Sequence, residues 1–195
     1  MTVFFEIGAT VLGLVQGALV MLNKRINWLF YSLQMLFLVI FALLNNLYGD
    51  VLSSSAYIVV GIVGFIMWGS DGNRRVTNAS VKEKTVYSLL IALCTAVVAV
   101  FLYKTSDPLP LLDAFTPVSG IFATYYMLCH KLDAWILWFI NDVFYIIEYY
   151  MLPDRAWYLL LLNVIWTVMA VASYIEWKRI MKREEEESAS QFVIE

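Results

Sequence analysis

The chain has 195 residues, is 62% hydrophobic and has a mean hydropathy of +0.74. Soluble domains are about 45–50% apolar, so an ordinary soluble core is excluded. The net charge of −3, with basic residues confined to short loops, leaves no basic domain for nucleic acid. Cys94 and Cys129 are isolated thiols and imply neither a disulfide framework nor a metal site.

In chain order, seven apolar segments stand out at about 3–22, 28–48, 50–69, 85–104, 110–129, 134–152 and 155–177. Each has the roughly 20-residue length that crosses a ~30 Å hydrocarbon layer. The breaks are polar or turn-rich: NKRIN, YGD, SDGNRRVTNASVKEK, KTSDPLP, HKLD and LPDR. Lipid offers the backbone no hydrogen-bond partner, so each segment is expected to be helical. The runs lack the period-two alternation of a membrane β-barrel. The start, MTVFFEIGAT, has no basic region before its apolar run and reads as a retained helix, not a cleaved signal. The fold class expected is therefore all-α and integral to the membrane, with a transporter domain over 1–183 and a disordered cytoplasmic tail over 184–195.

Alternating sides across seven helices places Lys24, Arg25, Arg74, Arg75, Lys82, Lys84, Lys131, Lys178, Arg179, Lys182 and Arg183 on one side, and Lys104 and Arg155 on the other. The positive-inside rule then predicts an outer N-terminus and a cytoplasmic C-terminus. A shift of 107 residues lays Gly13 on Gly120, Lys24 on Lys131, Trp28 on Trp135, Tyr31 on Trp138 and Gln34 on Asn141; two further residues lay Tyr57 on Trp166 and Trp68 on Trp177. Repeat one (about 3–69) and repeat two (about 110–177) thus read as two copies of one helix triplet, joined by a linker helix at about 85–104. The crossing of the linker gives both copies the same orientation, one of the known transporter plans.

The candidate site lies in the second triplet. Counting about 1.5 Å per residue, Asn141 is roughly 10 Å deep from one side and Asn163 roughly 12 Å from the other. Thr116, Ser119 and Gln34 reach a similar level. Trp135, Trp138, Asp142 and Tyr145 share one helical face, and Asn163 and Trp166 share another. Aromatic faces stack on flat heterocycles, and amides both donate and accept. Competing readings stay open. Trp28, Trp157 and Trp177 suit an aromatic belt at the membrane interface, and Asn141 and Asn163 suit interhelical glue. Asp142 is a substrate ligand, a proton-coupling group or an acid kept neutral. Glu6, Asp113 and Glu148 are expected near the outer surface, solvated or interfacial, and His130 exposed in a loop. Pro117 is a hinge or a tolerated kink. No catalytic or nucleotide-binding constellation is present, so neither an enzyme nor an ATP-driven pump is expected, and no cofactor or metal is implied.

At W-I-L-W (135–138), N-V-I-W (163–166), Asp113-Ala114 with Thr116, and L-N-K-R-I-N-W (22–28), the sequence resembles the PnuC family of bacterial vitamin and nucleoside transporters. The likeness runs from about Gly8 to Arg179. The resemblance implies a 3+1+3 fold like that of the SWEET facilitators, homotrimers in the bacterial inner membrane, and facilitated diffusion of nicotinamide riboside, thiamine, riboflavin or deoxynucleosides. It also implies a cytoplasmic kinase that traps the substrate by phosphorylation. It assigns substrate contact to Trp135, Trp138, Asn163 and Trp166; Gln34, Thr116, Asn141, Asp142 and Tyr145 are added from depth and helical face. Asp142 leaves room for a cationic substrate.

Overall fold

The computed structural model describes residues 2–44, 48–69, 75–105, 107–151 and 157–194. Seven helices follow in order: α1 (Thr2–Met21), α2 (Asn27–Leu44), α3 (Tyr48–Trp68), α4 (Val81–Leu102), α5 (Pro110–Leu128), α6 (Asp133–Met151) and α7 (Trp157–Ile194). No strand occurs among the described residues; the sole extended pairing is an isolated bridge between Thr77 and Lys131. All seven expected helices are present, most within a few residues of their expected bounds. α4 begins earlier than its apolar run because Ser80 and Glu83 form a reciprocal capping box that starts the helix at Val81.

One expectation fails at the C-terminus. The disordered tail over 184–195 is corrected: α7 continues as helix through Ile194. The run Arg183–Glu187 is built of strong helix formers. Lys182 and Glu186 pair one turn apart at 3.6 Å, and Glu184 accepts a hydrogen bond from the Val76 amide at 3.0 Å.

The chain divides into two compact units, Met1–Arg74 and Arg75–Glu195. In the first, α2 packs between α1 and α3; in the second, α6 packs between α5 and α7, and α4 rests on α5. The α1–α2 connection of the first unit and the α5–α6 connection of the second are the same turn. Asn23 and His130, 107 residues apart, both adopt left-handed backbone, with φ of 55° and 52°. In the first turn Asn23 N–H donates to Val20 O (3.0 Å) and Lys24 N–H to Leu19 O (2.9 Å). In the second, His130 N–H donates to Met127 O (3.0 Å) and Lys131 N–H to Tyr126 O (2.9 Å). This is the Schellman closure, which satisfies the last carbonyls of a helix and reverses the chain.

The packing above the turn repeats as well. Trp28 meets Trp68 edge to face at 5.5 Å and 85°, and Trp135 meets Trp177 at 5.3 Å and 88°. Trp28 and Trp177 are 1% and 0% exposed, which corrects the belt reading of both. An indole whose partner lies one packed helix away is held inside the unit, not at its lipid-facing rim. The side chain of Trp157, the third belt candidate, lies outside the described residues, as do Arg155 and the side chain of Glu6. His130, expected to be exposed, is 4% exposed and stacks on Trp177 at 5.9 Å and 19°. The left-handed turn directs its ring inward.

The outer surface is apolar. On α4, Leu89, Leu93, Val97, Val100 and Phe101 are all more than half exposed. An apolar band of that extent suits lipid and not water. α4 and the stretch Leu160–Ala189 are long and apolar enough to cross a bilayer.

The segment before α4 is stapled to the α5–α6 turn. Thr77 N–H donates to His130 O (3.0 Å), and Leu132 N–H donates to Thr77 O (2.9 Å). Asp133 accepts from Ala79 N–H at 2.6 Å and pairs with Lys84 at 2.7 Å.

Candidate functional site

Helix α5 starts with Pro110 and carries Pro117 in its interior. Proline has no amide hydrogen, so the ordinary ladder is interrupted beside Thr116 and Ser119. Side chains of α6 engage α5 at this interruption. Asn141 Nδ2 donates to the carbonyl of Thr116 and to Ser119 Oγ, the latter at 2.8 Å. The Thr116 hydroxyl lies 3.2 Å from both Leu112 O and Glu148 Oε2, and donates between them. Thr116 and Ser119 are each 1% exposed, and Asn141 is fully buried. The two units differ here: the first has Ala9 and Leu12 at the positions corresponding to Thr116 and Ser119.

Because a carbonyl can only accept, the amide nitrogen of Asn141 must face Thr116. Its Oδ1 then points elsewhere, buried and without a hydrogen bond. The indole Nε1 of Trp138 is likewise buried without a hydrogen bond. The two side chains converge: a Cβ placed on Gly120 would lie 3.8 Å from both Asn141 Nδ2 and the Trp138 ring. One acceptor and one donor, on residues one turn apart along α6, are therefore left without a hydrogen-bond partner. Leaving a buried polar atom unpaired costs about 1–3 kcal/mol, so such atoms are expected to meet water or a ligand.

The other predicted residues fall as follows. Trp135 is 6% exposed and spends its ring on Trp177, whereas Trp138 is half-buried. The W-x-x-W motif is thus divided between packing and the open group. Asp142 is 6% exposed and makes no hydrogen bond or ion pair among the described residues. Tyr145 is half-buried and stacks on Tyr149 at 5.6 Å and 14°. On α7, which packs against α6, Asn163 is 9% exposed and Trp166 half-buried, on one face and one turn apart. Gln34 belongs to the first unit, where it is half-buried beside Gly13; a Cβ there would lie 2.7 Å from its Nε2. Thr116 and Asn141 are therefore joined directly, and the Trp138 ring edge and Asn141 Nδ2 both approach Gly120.

Glu148 was missed. Expected to be solvated or interfacial, it is 8% exposed and bound to Thr116. The available signal was its spacing of seven residues from Asn141, which puts both on the α5-facing side of α6. Asp113 is exposed, as expected. Among the described residues no group of His, Cys, Asp and Glu side chains could hold a metal ion.

With this geometry in hand, the comparisons with known proteins are specific. The family model described as nicotinamide mononucleotide transporter matches residues 3–179. The chain is 27% identical over 189 residues to the nicotinamide riboside transporter PnuC of Neisseria mucosa, covering 90% of this chain and 72% of that protein. Its fold is similar to that of the crystal structure of the vitamin B3 transporter PnuC, with a TM-score of 0.71 and 24% identity over 92% of this chain and 83% of that one. The chain belongs to the nicotinamide mononucleotide transporter family, a family of transporters and not of enzymes.

Proposed function

We propose that this chain is a bacterial inner-membrane facilitator for nicotinamide riboside or a similar vitamin nucleoside, recognised by the buried polar group of its second unit. The observation that supports this most is the unpaired acceptor of fully buried Asn141, one helical turn from Trp138, whose indole N–H is also unpaired. A nicotinamide nucleoside offers a flat ring to the indole, and carboxamide and hydroxyl hydrogens to the amide oxygen. The contact set is Trp135, Trp138, Asn141, Asp142, Tyr145, Asn163 and Trp166, with Thr116 positioning Asn141; Gln34 is the corresponding amide of the first unit. A nucleoside is favoured over a phosphorylated nucleotide because the buried side chains Asp142 and Glu148 are acidic, and buried like charges repel.

The recurrent turn and Trp–Trp pair support an arrangement of two like-facing triplets joined by α4, with the N-terminus outside and the C-terminus cytoplasmic. On this reading the chain works as a homotrimer, and a cytoplasmic kinase traps the substrate by phosphorylation. Thiamine, riboflavin and deoxynucleosides are the alternative cargoes. A second mechanism, proton-coupled transport through Asp142, is favoured by the burial of that carboxyl group without a partner among the described residues.

Purified protein in liposomes tests the proposal. Facilitated diffusion predicts that nicotinamide riboside equilibrates without ATP or an ion gradient, and accumulates only when a riboside kinase and ATP are enclosed. Accumulation driven by a proton gradient alone would replace this mechanism with the coupled one. Binding without flux would make the protein a receptor.

A further inference from the structure

Resting on that reading, we propose that Glu148 is a charge-selecting residue of the substrate path, so that the second unit prefers cationic flat nucleosides to neutral ones of the same shape. Glu148 is buried and is joined to the recognition group through Thr116: the hydroxyl of Thr116 engages Glu148, and its carbonyl engages Asn141. Seven residues separate Asn141 from Glu148, two turns along one helical face, or about 10 Å.

Several basic side chains among the described residues are engaged elsewhere, and Arg155 lies outside those residues. The ion pairs among the described residues are Lys84–Asp133, Lys131–Glu83, Arg179–Glu176 and Lys182–Glu186. Lys104 lies over the ring of Phe101 at 5.9 Å. Glu148 forms no ion pair among the described residues. A carboxylate away from water without a countercharge is costly, and a cation in its vicinity offsets that cost. In the first unit the corresponding position is Phe41. The charge is therefore no requirement of the three-helix framework, which closes with a phenylalanine there. The hydrogen bond to Thr116 could equally be served by a neutral amide, so what the carboxyl group adds is charge.

The test uses the purified full chain and two probes, nicotinamide riboside and its reduced, uncharged dihydropyridine form. They share the ribose and the carboxamide and differ in ring charge. The measurement is the ratio of their affinities. Wild-type protein is expected to favour the cation by about tenfold or more, the scale of one partly screened charge pair. Glu148→Gln keeps the acceptor for Thr116 and is expected to lose the part of that preference which Asp142 does not supply, with Asp142→Asn measured beside it; Glu148→Asp is expected to keep it. An unchanged ratio in Glu148→Gln overturns the proposal. So does parity between the probes in the wild type, a result that needs no variant to fold. Wild-type protein that binds both probes equally sinks this inference alone, whereas protein that binds neither sinks the nucleoside reading on which it rests.

Discussion

The two units share a framework and differ in what they place on it. A left-handed residue and a Schellman turn close α1–α2 in the first and α5–α6 in the second, and an edge-to-face tryptophan pair locks α2 to α3 and α6 to α7. On that common frame Ala9, Leu12, Met35 and Phe41 of the first unit correspond to Thr116, Ser119, Asp142 and Glu148 of the second. Four apolar residues stand where four polar ones stand. The frame is thus independent of the polar group, and the polar group is an addition to it. Buried polarity that a sister unit does without is the kind of feature that stability does not explain.

The largest effect expected on the frame is at the glycine under Trp28. A Cβ on Gly64 would overlap the Trp28 indole, whereas the corresponding residue in the second unit is the buried Ser173. Gly64→Ala is expected to cost about 1–3 kcal/mol through overpacking, while Ser173→Ala, which removes a hydroxyl that lacks a hydrogen bond, should leave stability unchanged or raise it. Thermal unfolding in detergent checks both. Equal losses would mean that the units do not pack their tryptophans by separate local solutions.

The smallest effect is expected at the Lys131–Glu83 pair, 3.7 Å apart and partly exposed. Lys131→Met should change stability by no more than about 0.5 kcal/mol, as weak surface pairs do. The corresponding Lys24 of the first unit forms no ion pair among the described residues, so Lys24→Met should match it. A clearly larger loss at Lys131 would show that the strap over the α5–α6 turn contributes more than its exposed geometry implies.

The sequence made the helices legible because lipid-length apolar runs admit few alternatives. It also suggested a repeat, through tryptophans and lysines offset first by 107 and then by 109 residues. It did not reveal the left-handed turns, since Asn23 and His130 are not glycines, the usual marker. Trp28 and Trp177 were misjudged because depth along a helix says nothing of which side faces its neighbours. The same blindness hid Glu148, which lies near a helix end yet faces α5. α7 outran its apolar run because helix formation past the membrane depends on local charge pairing and propensity, not hydropathy. Depth singled out Thr116 and Asn141, and the W-x-x-W motif singled out Trp138, but the unpaired Oδ1 follows only from knowing that Asn141 spends its nitrogen on a carbonyl.

The central claim is that this open amide oxygen recognises the substrate. The direct measurement is the affinity of purified protein for nicotinamide riboside, followed by tryptophan fluorescence, in the wild type and in Asn141→Leu, with Gln34→Leu as the counterpart in the first unit. Loss of a buried hydrogen bond to the ligand, worth about 1.5–3 kcal/mol if the ligand group is charged or strongly polarised, predicts weakening of about ten- to a hundredfold for Asn141→Leu, and a smaller change for Gln34→Leu. Wild-type affinity retained in Asn141→Leu, in protein that remains folded, would contradict the account.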